Sequence, residues 1–399
     1  METGLSEVIV GSCLSMCPAA ERNARQRQGR LHVFEMPSDQ YPNHPIKEFC
    51  RSAAGKQIHH SELRPAHVLL TTMEYLLNEI VDRKDQPWTT VYHYVFDRIR
   101  AVRQDMVIQR IEDESAVEIL EKAARFHIYA GFHLCETSIE HFDPRINDNH
   151  IQECLKRLLV LYKDLHPHSL NRAEFEAYYL LHNLGSHEAM EHSLRLPQHI
   201  KCQPNFKAAW NISLMKLVGN FVRLFRLVRS LPFLASCLVQ KHFPSIYSTS
   251  IAVLNTAYSD PKCQFPVKDL SSILLFNNEQ EAQMFLVCFG IEVSNGYIKF
   301  SKKSYTIPEK LPARVKCRIK GDKMTDPVKK ILQHDCSPVQ VNQMNYSPSN
   351  DQERESQQNE KQIEETKKKP GSGRGRGRGL NVNPKNKPVG RGRSRGRIT

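Results

Sequence analysis

The sequence lacks an uninterrupted apolar run long enough to cross a membrane. Its most apolar stretch, 214–239, is broken by Lys216, Arg223, Arg226 and Arg229, and so many charges are incompatible with a bilayer span. The first ten residues carry acids where a secretory signal would need a basic start and an apolar run. The 11 cysteines are an odd number scattered along the chain, which indicates a reducing compartment. We therefore expect no membrane contact, and a cytoplasmic or nuclear protein.

A surplus of positive charge is missing from most of the chain. Of the 56 Lys and Arg residues, twelve lie in 366–399, a segment with no acid, and the remaining 44 are balanced by 43 acids. The body as a whole is therefore not expected to attract polyanions.

The basic tail is the exception to this balance. Its Arg/Gly runs place guanidinium groups where they can contact phosphates and stack on exposed bases, so we expect salt-dependent RNA binding of low sequence specificity. The alternative is a solubilising or nuclear-import tail around 367–370. The residues that would contact RNA are Arg374, Arg376, Arg378, Arg391, Arg393, Arg395 and Arg397.

No catalytic or metal-binding template is complete in the sequence. The Gly-Lys pair at 55–56 lacks the upstream glycine and the following Ser or Thr of a phosphate loop. His187 and His192 would lie about 140° apart on a helix, unlike the pair of a zinc protease. Cys13 and Cys17 supply only half of a tetrahedral zinc site. We expect no catalysis, no cofactor and no metal, although an active site assembled from residues distant in sequence stays an alternative.

Apolar residues recur at helical spacing from Leu63 to Tyr258, and no strand signal interrupts them. Such a series of amphipathic helices predicts an all-α fold, an irregular α-solenoid of stacked helix pairs. The stripe over 214–228 predicts one helix that ends near Pro232. Asn171, three residues before Glu174, resembles a capping box that opens another helix.

The pattern changes near residue 265. Two short helical stretches, the second over 279–289, precede alternating residues on both sides of Asn295-Gly296, the preferred dipeptide of a type I′ hairpin. Helix, helix and hairpin predict a winged helix. Beyond Pro308 the composition is too polar to form a core. We therefore predict four regions: an extended N-terminal segment (1–60), a helical body (61–260), a winged helix (261–307) and a disordered Arg/Gly-rich tail (308–399).

Four sequence blocks, in order and spacing, resemble the SAC-three/GANP family of mRNA-export and mitotic proteins. The first is Gly11-Ser-Cys-Leu-Ser-Met-Cys-Pro, and the others lie at 63–76, 97–109 and 124–128. The resemblance covers about 10–305 and implies a non-catalytic helical scaffold that ends in a winged helix. The signature residues, which we interpret as structural, are Cys13, Met16, Cys17, Pro18, Glu21, Arg64, Pro65, Asp105, Arg125, Phe126 and His127.

The resemblance also implies partners. The family's export scaffold pairs its winged helix with that of a second subunit and holds a small acidic protein, and together they make a nucleic-acid-binding platform. The sequence lacks the long extensions of the large members and is most similar to short members, which are associated with centrosome duplication and mitotic progression. We therefore expect a scaffold for cell division, in cytoplasm, centrosome and spindle. The alternative is an RNA-associated adaptor in nuclear mRNA export or processing.

Two sets of basic residues are candidates for a partner surface. The alternative for each set is ion pairing with neighbouring helices or a solvated helix face. The first set lies on the polar side of the second helix of the body and comprises Arg98, Arg100 and Arg103. The second set, spread over about 140° of what the pattern predicts to be one helix, comprises Lys216, Arg223, Arg226 and Arg229.

Overall fold

The N-terminal part of the chain lies on the first long helices of the body. The computed structural model describes residues 9–51, 58–260, 262–312, 316 and 328–333. Helix α1 (Ala19–Arg27) is followed by two 3₁₀ turns, Val33–Glu35 and His60–Glu62. Helix α1 is polar, and its buried residue is Arg25. Among the described residues, no helix is long and apolar enough to span a membrane.

The body is a succession of helices that pack on their neighbours. Helix α2 begins directly after Pro65 and continues into a π-helical turn. Helix α4 packs on α5, α5 on α6, α6 on α9 and α9 on α10, so the prediction of an all-helical, solenoid-like body is confirmed. One apolar core runs from Phe34 to Leu332. The elements are α2 (Ala66–Tyr75), the π-turn (Leu76–Ile80), α3 (Trp88–Ile108), α4 (Glu114–His133), α5 (Pro144–Asp164), α6 (Arg172–His182), α7 (His187–Arg195), α8 (Gln198–Lys201), α9 (Pro204–Leu217), α10 (Phe221–Ser230), α11 (Phe233–Gln240) and α12 (Phe243–Ala257).

The single helix predicted over 214–228 is wrong, because the chain breaks between α9 and α10. Gly219 adopts a φ of +73°, a left-handed conformation that ends a helix and favours glycine. The Asn220 side chain then accepts a hydrogen bond from the Arg223 backbone N–H (3.0 Å) and caps the next helix. Lys216 therefore lies on α9, whereas the three arginines of the second basic set lie on α10.

The predicted capping box at the start of α6 is also wrong. Asn171 precedes the helix, but its side chain does not cap it. Its Nδ2 donates instead to Glu121 of α4 (2.6 Å), and the Glu174 carboxylate accepts from Arg125 (2.9 Å). Partners on a neighbouring helix have thus replaced the local bonds that the sequence pattern favours.

The C-terminal elements form the predicted winged helix. Strand β3 pairs antiparallel with both β1 and β2, in the order β1-β3-β2. The hairpin turn has positive φ at Asn295 (51°) and Gly296 (77°), as a type I′ turn requires. Helix α12 contributes as well, because Asn255 Oδ1 accepts from the Ser301 N–H (3.0 Å). The elements are β1 (Phe265–Pro266), α13 (Val267–Leu274), α14 (Glu279–Val287), β2 (Glu292–Ser294) and β3 (Tyr297–Lys299).

One further helix, α15 (Val328–Gln333), lies within the segment predicted to be disordered. It packs on α4 and on the π-turn and buries Ile331 and Leu332, so the prediction is wrong for these six residues. Two adjacent aliphatic residues were too short a signal to predict a helix. The Arg/Gly-rich tail, with all seven arginines proposed for RNA contact, lies outside the described residues.

Candidate nucleic-acid interface

The Glu35 carboxylate joins the N-terminal segment to α3. It is fully buried and accepts hydrogen bonds from Arg25 Nη1 (2.7 Å), Arg98 Nη2 (3.1 Å), the Tyr94 hydroxyl (3.2 Å) and the Ile46 N–H (3.0 Å). Burial by itself would raise the pKa of Glu35, but the two guanidinium charges and the Ile46 N–H outweigh it, and the pKa is lowered. Glu35 is therefore a charged acceptor between two arginines.

This network removes Arg98 from the candidate partner surface. Only 4% of Arg98 is exposed, and its guanidinium also contacts Asp97 (2.5 Å) and Glu48 (3.3 Å). The expectation that it faces a partner is wrong, because acids from the N-terminal segment cover this side of α3. The sequence could not indicate this cover, since Glu35 and Glu48 lie 50 or more residues away.

The other arginines of α3 are also engaged within the chain. The Arg100 guanidinium lies over the Phe49 ring, 3.7 Å from its centroid, which is the geometry of a cation–π contact. Arg103 Nη2 donates to Glu153 (3.0 Å), and its Nη1 lies 3.1 Å from His150 Nδ1. Both arginines are half-buried. The α3 set therefore fits the alternative of structural pairing.

A second buried network surrounds Asp105. Its carboxylate accepts from Arg64 Nε (2.7 Å) and from Lys47 Nζ (2.6 Å). Arg64 Nη1 also donates to the Met16 carbonyl (3.2 Å). Asp105 and Arg64 are both fully buried. Three signature residues, Met16, Arg64 and Asp105, are thus parts of one clamp that holds the N-terminal segment to the body.

Gly11 is fitted closely into the same clamp. Its N–H donates to Gln109 Oε1 (2.8 Å), and the Cys13 N–H donates to the Leu63 carbonyl (3.0 Å). A Cβ atom at Gly11 would lie 2.5 Å from the Leu63 carbonyl oxygen. Glycine is therefore required at this position by close backbone approach.

The cysteine and acid of the signature take part in packing. Cys17 is buried, its Sγ accepts from Arg25 Nη2 (3.2 Å), and burial raises its pKa to about 11. The thiol is therefore neutral and unreactive at physiological pH. Pro18 precedes α1 and Glu21 accepts from the Glu48 N–H (2.8 Å). Within the described ranges, no group of three or more His, Cys, Asp or Glu side chains could hold a metal.

The last signature block lies in the core of α4. Arg125 makes a bidentate ion pair with Glu174, with both N–O distances 2.9 Å. Phe126 is fully buried. His127 Nδ1 lies 3.1 Å from Asn147 Oδ1, and burial lowers the pKa of this histidine well below its ordinary value. These side chains tie α4 to α5 and α6.

The arginines of α10 are arranged differently from those of α3. Arg223, Arg226 and Arg229 are exposed, while the opposite face of α10 buries Leu224, Phe225 and Val228. Neither Arg223 nor Arg226 has an acidic partner in the part of the chain that the structure describes. Lys216, on α9, is half-buried and its pKa is lowered by burial. The predicted arc of four basic residues on one helix is therefore reduced to three.

A polar cleft of about 550 Å³ lies between α10, α13 and the start of α14. Arg229 is fixed at its edge because its Nη2 donates to the Ser272 carbonyl (2.6 Å). Guanidinium, ammonium, amide and hydroxyl donors are the groups that bind phosphates and sugars. We call this the α10 cleft; its lining residues are Arg229, Lys268, Ser271, Ser272, Leu275, Phe276, Asn278, Glu279, Gln280 and Gln283.

Of the residues that line this cleft, the sequence indicated only Arg229 as a candidate for a partner surface. Lys268 and Gln283 lie on two other helices, and only the fold brings them together. The sequence feature that could have indicated this site is the three-residue spacing of the α10 arginines, which places them along one face of a helix.

A family model and several relatives from different organisms match this chain, and all of them point to the same family. The model of the SAC3/GANP family matches residues 16–295. Protein xmas of Drosophila melanogaster is 30% identical over 310 residues, which is 73% of this chain and 15% of that protein. SAC3 family protein 1 of Schizosaccharomyces pombe is 30% identical over 313 residues, 72% of this chain and 30% of that protein. SAC3 family protein B of Arabidopsis thaliana is 30% identical over 307 residues, 72% and 18% respectively. The chain therefore spans less than a third of the length of these relatives.

Proposed function

Because the chain belongs to the SAC3/GANP family, we propose that it is a non-catalytic scaffold that joins partner proteins to RNA in nuclear mRNA export or processing. The observation that carries this proposal is the row of exposed arginines on α10, together with the α10 cleft, which Arg229 lines. The helical body holds these arginines beside the winged helix, so that one surface presents several phosphate-binding donors. The Arg/Gly-rich tail would add contacts of low sequence specificity.

The winged helix is proposed to bind protein on the outer face of α14. This helix, Glu279–Val287, contains no Lys or Arg, although such residues commonly contact bases and phosphates from a recognition helix. Its exposed side chains include Met284 (72% exposed) and Val287 (66%). An apolar and acidic face of this kind suits a protein partner, such as the second winged-helix subunit that the resemblance implies.

The expected role in centrosome duplication and mitosis stays a prediction. It depended on the shortness of the sequence, and the relatives reported above do not favour it. Likewise, the small acidic partner remains an expectation from the resemblance. RNA association is proposed first because the exposed α10 arginines and the α10 cleft give it a physical basis, and the nuclear location is proposed as part of the role in mRNA export.

Reversing the charge of two α10 arginines tests the proposal. In the full chain, Arg223→Glu with Arg226→Glu should weaken binding of a labelled single-stranded RNA by at least about tenfold at physiological salt. Each lost phosphate contact removes roughly 0.7 from the slope of log affinity against log salt, so the slope should fall by roughly 1.4 for the two contacts. Fluorescence anisotropy across a salt series measures both quantities.

The matched control is Arg27→Glu with Arg145→Glu, which changes the net charge equally at exposed sites on α1 and α5. This variant should bind RNA with nearly unchanged affinity and slope. The comparison is repeated in a chain that lacks 366–399, so that tail binding does not mask the α10 contribution. Equal weakening by both double variants would show a general charge effect and remove support for RNA contact by the exposed α10 arginines.

A further inference from the structure

The α10 cleft contains charged and polar side chains that the fold itself does not use. Lys268 on α13 and Glu279, the first residue of α14, both line the cleft. In the part of the chain that the structure describes, neither side chain forms an ion pair or a hydrogen bond, and the two do not pair with each other. The Gln283 side chain, one turn further along α14, has no hydrogen-bond partner among the described residues either. An ammonium group, a carboxylate and an amide are therefore available to a ligand in the same cleft.

The walls of the cleft are fixed by contacts within the chain. Arg229 is held by the Ser272 carbonyl, as described above. The Asn278 side chain accepts a hydrogen bond from the Glu281 N–H (2.7 Å) and fixes the start of α14. Between α13 and α14, Leu275 lines the cleft with a φ of +60°, a left-handed conformation that is rare for a bulky residue and that is found most often at functional sites. The cleft is thus a preformed site.

The cleft has the size and the position to take one unpaired nucleotide. Its volume of about 550 Å³ lies within the range of small-molecule pockets. The exposed Arg223, Arg226 and Arg229 follow one another along α10, and Arg229 lines the cleft. A strand whose phosphates contact these arginines therefore reaches the cleft at Arg229. Proteins read RNA sequence chiefly in unpaired nucleotides, because the edges of their bases are free to enter a pocket.

The chemistry of the available groups distinguishes among the four bases. A carboxylate only accepts hydrogen bonds, and guanine is the base that offers it two adjacent donors, N1–H and the N2 amino group. Guanine also offers the acceptors O6 and N7, which are the commonest specific targets of Arg and Lys. Adenine and cytosine each have one amino group, and uracil has a single N–H between two carbonyl oxygens that a carboxylate repels. The combination of Glu279 and Lys268 therefore fits guanine best and uracil least.

We infer that the α10 cleft binds an unpaired guanine of single-stranded RNA. The Glu279 carboxylate accepts from N1–H and from the N2 amino group, Lys268 donates to O6, and Arg229 contacts the phosphate beside this nucleotide. This inference rests on the proposed RNA-associated function and adds a base preference to it. The body then contributes sequence preference, whereas the Arg/Gly-rich tail is expected to contribute affinity of low specificity.

Binding of labelled oligonucleotides to the full chain, followed by fluorescence anisotropy, tests the inference. The probes are decauridine RNAs in which one central nucleotide is uridine, guanosine or inosine, so the phosphates are the same in every probe. The guanosine probe should bind about tenfold more tightly than the uridine probe at physiological salt. Inosine lacks the N2 amino group of guanosine, so the inosine probe should bind about threefold more weakly than the guanosine probe.

The variant Glu279→Gln tests whether the preference arises in the cleft. An amide offers one acceptor oxygen and adds a donor, so the difference between the guanosine and inosine probes should disappear. Affinity for the uridine probe should change by less than about threefold, because one exposed charge is lost. The matched control is Glu292→Gln, which removes an exposed acid from β2 outside the cleft and should keep the full preference.

The outcomes separate this inference from the function on which it rests. Equal affinity for the three probes would overturn the inference and leave the RNA-associated role standing. A guanosine preference that persists unchanged in Glu279→Gln would also overturn it, because the preference would then arise outside the cleft. Failure of the folded full chain to bind any of the probes would contradict both.

Discussion

Replacing Asp105 with Asn is expected to destabilise the protein by about 3–5 kcal/mol, the cost of removing one partner of a buried ion pair. The carboxylate neutralises Arg64, which is fully buried, and Lys47, which is nearly so. Without it, the Arg64 guanidinium charge stays buried and uncompensated. Urea denaturation followed by circular dichroism measures the change in the free energy of unfolding.

Two variants separate the buried charge from a general loss of charge. Glu191→Gln removes an exposed acid whose partner, Arg195, is also exposed, and it should cost no more than about 1 kcal/mol. Replacing both members of the buried pair, Arg64→Met with Asp105→Leu, should be less destabilising than Asp105→Leu alone, because no uncompensated guanidinium remains. A loss at Asp105 as small as that at Glu191 would contradict the structural role of the clamp.

Glu35→Gln is expected to have an effect of similar size, about 3–5 kcal/mol at neutral pH. The substitution keeps the shape of the side chain but removes the charge that lies between Arg25 and Arg98. An amide also offers the surrounding donors one acceptor oxygen where the carboxylate offers two. Equilibrium unfolding in urea of the variant and the unchanged chain gives the difference directly.

The effect of Glu35→Gln should depend on pH in a defined direction. The pKa of Glu35 is lowered in the folded protein from its ordinary value of 4.5, so the unfolded chain binds its proton more readily. The stabilisation is therefore complete above pH 4.5 and is lost as the pH falls through the folded pKa. The difference between the unchanged chain and the variant should narrow over that interval. For comparison, Glu153→Gln, at a side chain that is 56% exposed, should show a small difference at every pH.

The helical body and the winged helix could be predicted from local patterns. Apolar periodicity identified the amphipathic helices, and the Asn295-Gly296 dipeptide identified the hairpin, because its two positive φ values need these residue types. Both signals are short-range in sequence. They can therefore be recognised in the sequence before it is known which segments contact each other in the fold.

The polar contacts of the core could not be predicted, because their partners are distant in sequence. The sequence pattern placed Arg98 on the polar side of α3, but in the structure Glu35 and Glu48 cover it. The break at Gly219 was missed because apolar residues continue on both sides of it, although Leu217 and Val218 prove to be exposed. The sequence feature that could have indicated the break is Gly219 followed by Asn220, because glycine ends helices and asparagine caps the start of the next one.

This chain is proposed to work through its outer surface as an RNA-associated scaffold. Ultraviolet crosslinking to polyadenylated RNA in cells tests it most directly, with the full chain, the Arg223→Glu and Arg226→Glu variant, and a chain that lacks 366–399. We expect clear recovery of RNA with the full chain, less with the double variant or with the chain that lacks 366–399, and least with a chain that carries both the double substitution and the deletion. Recovery at background level for a folded full chain would contradict it.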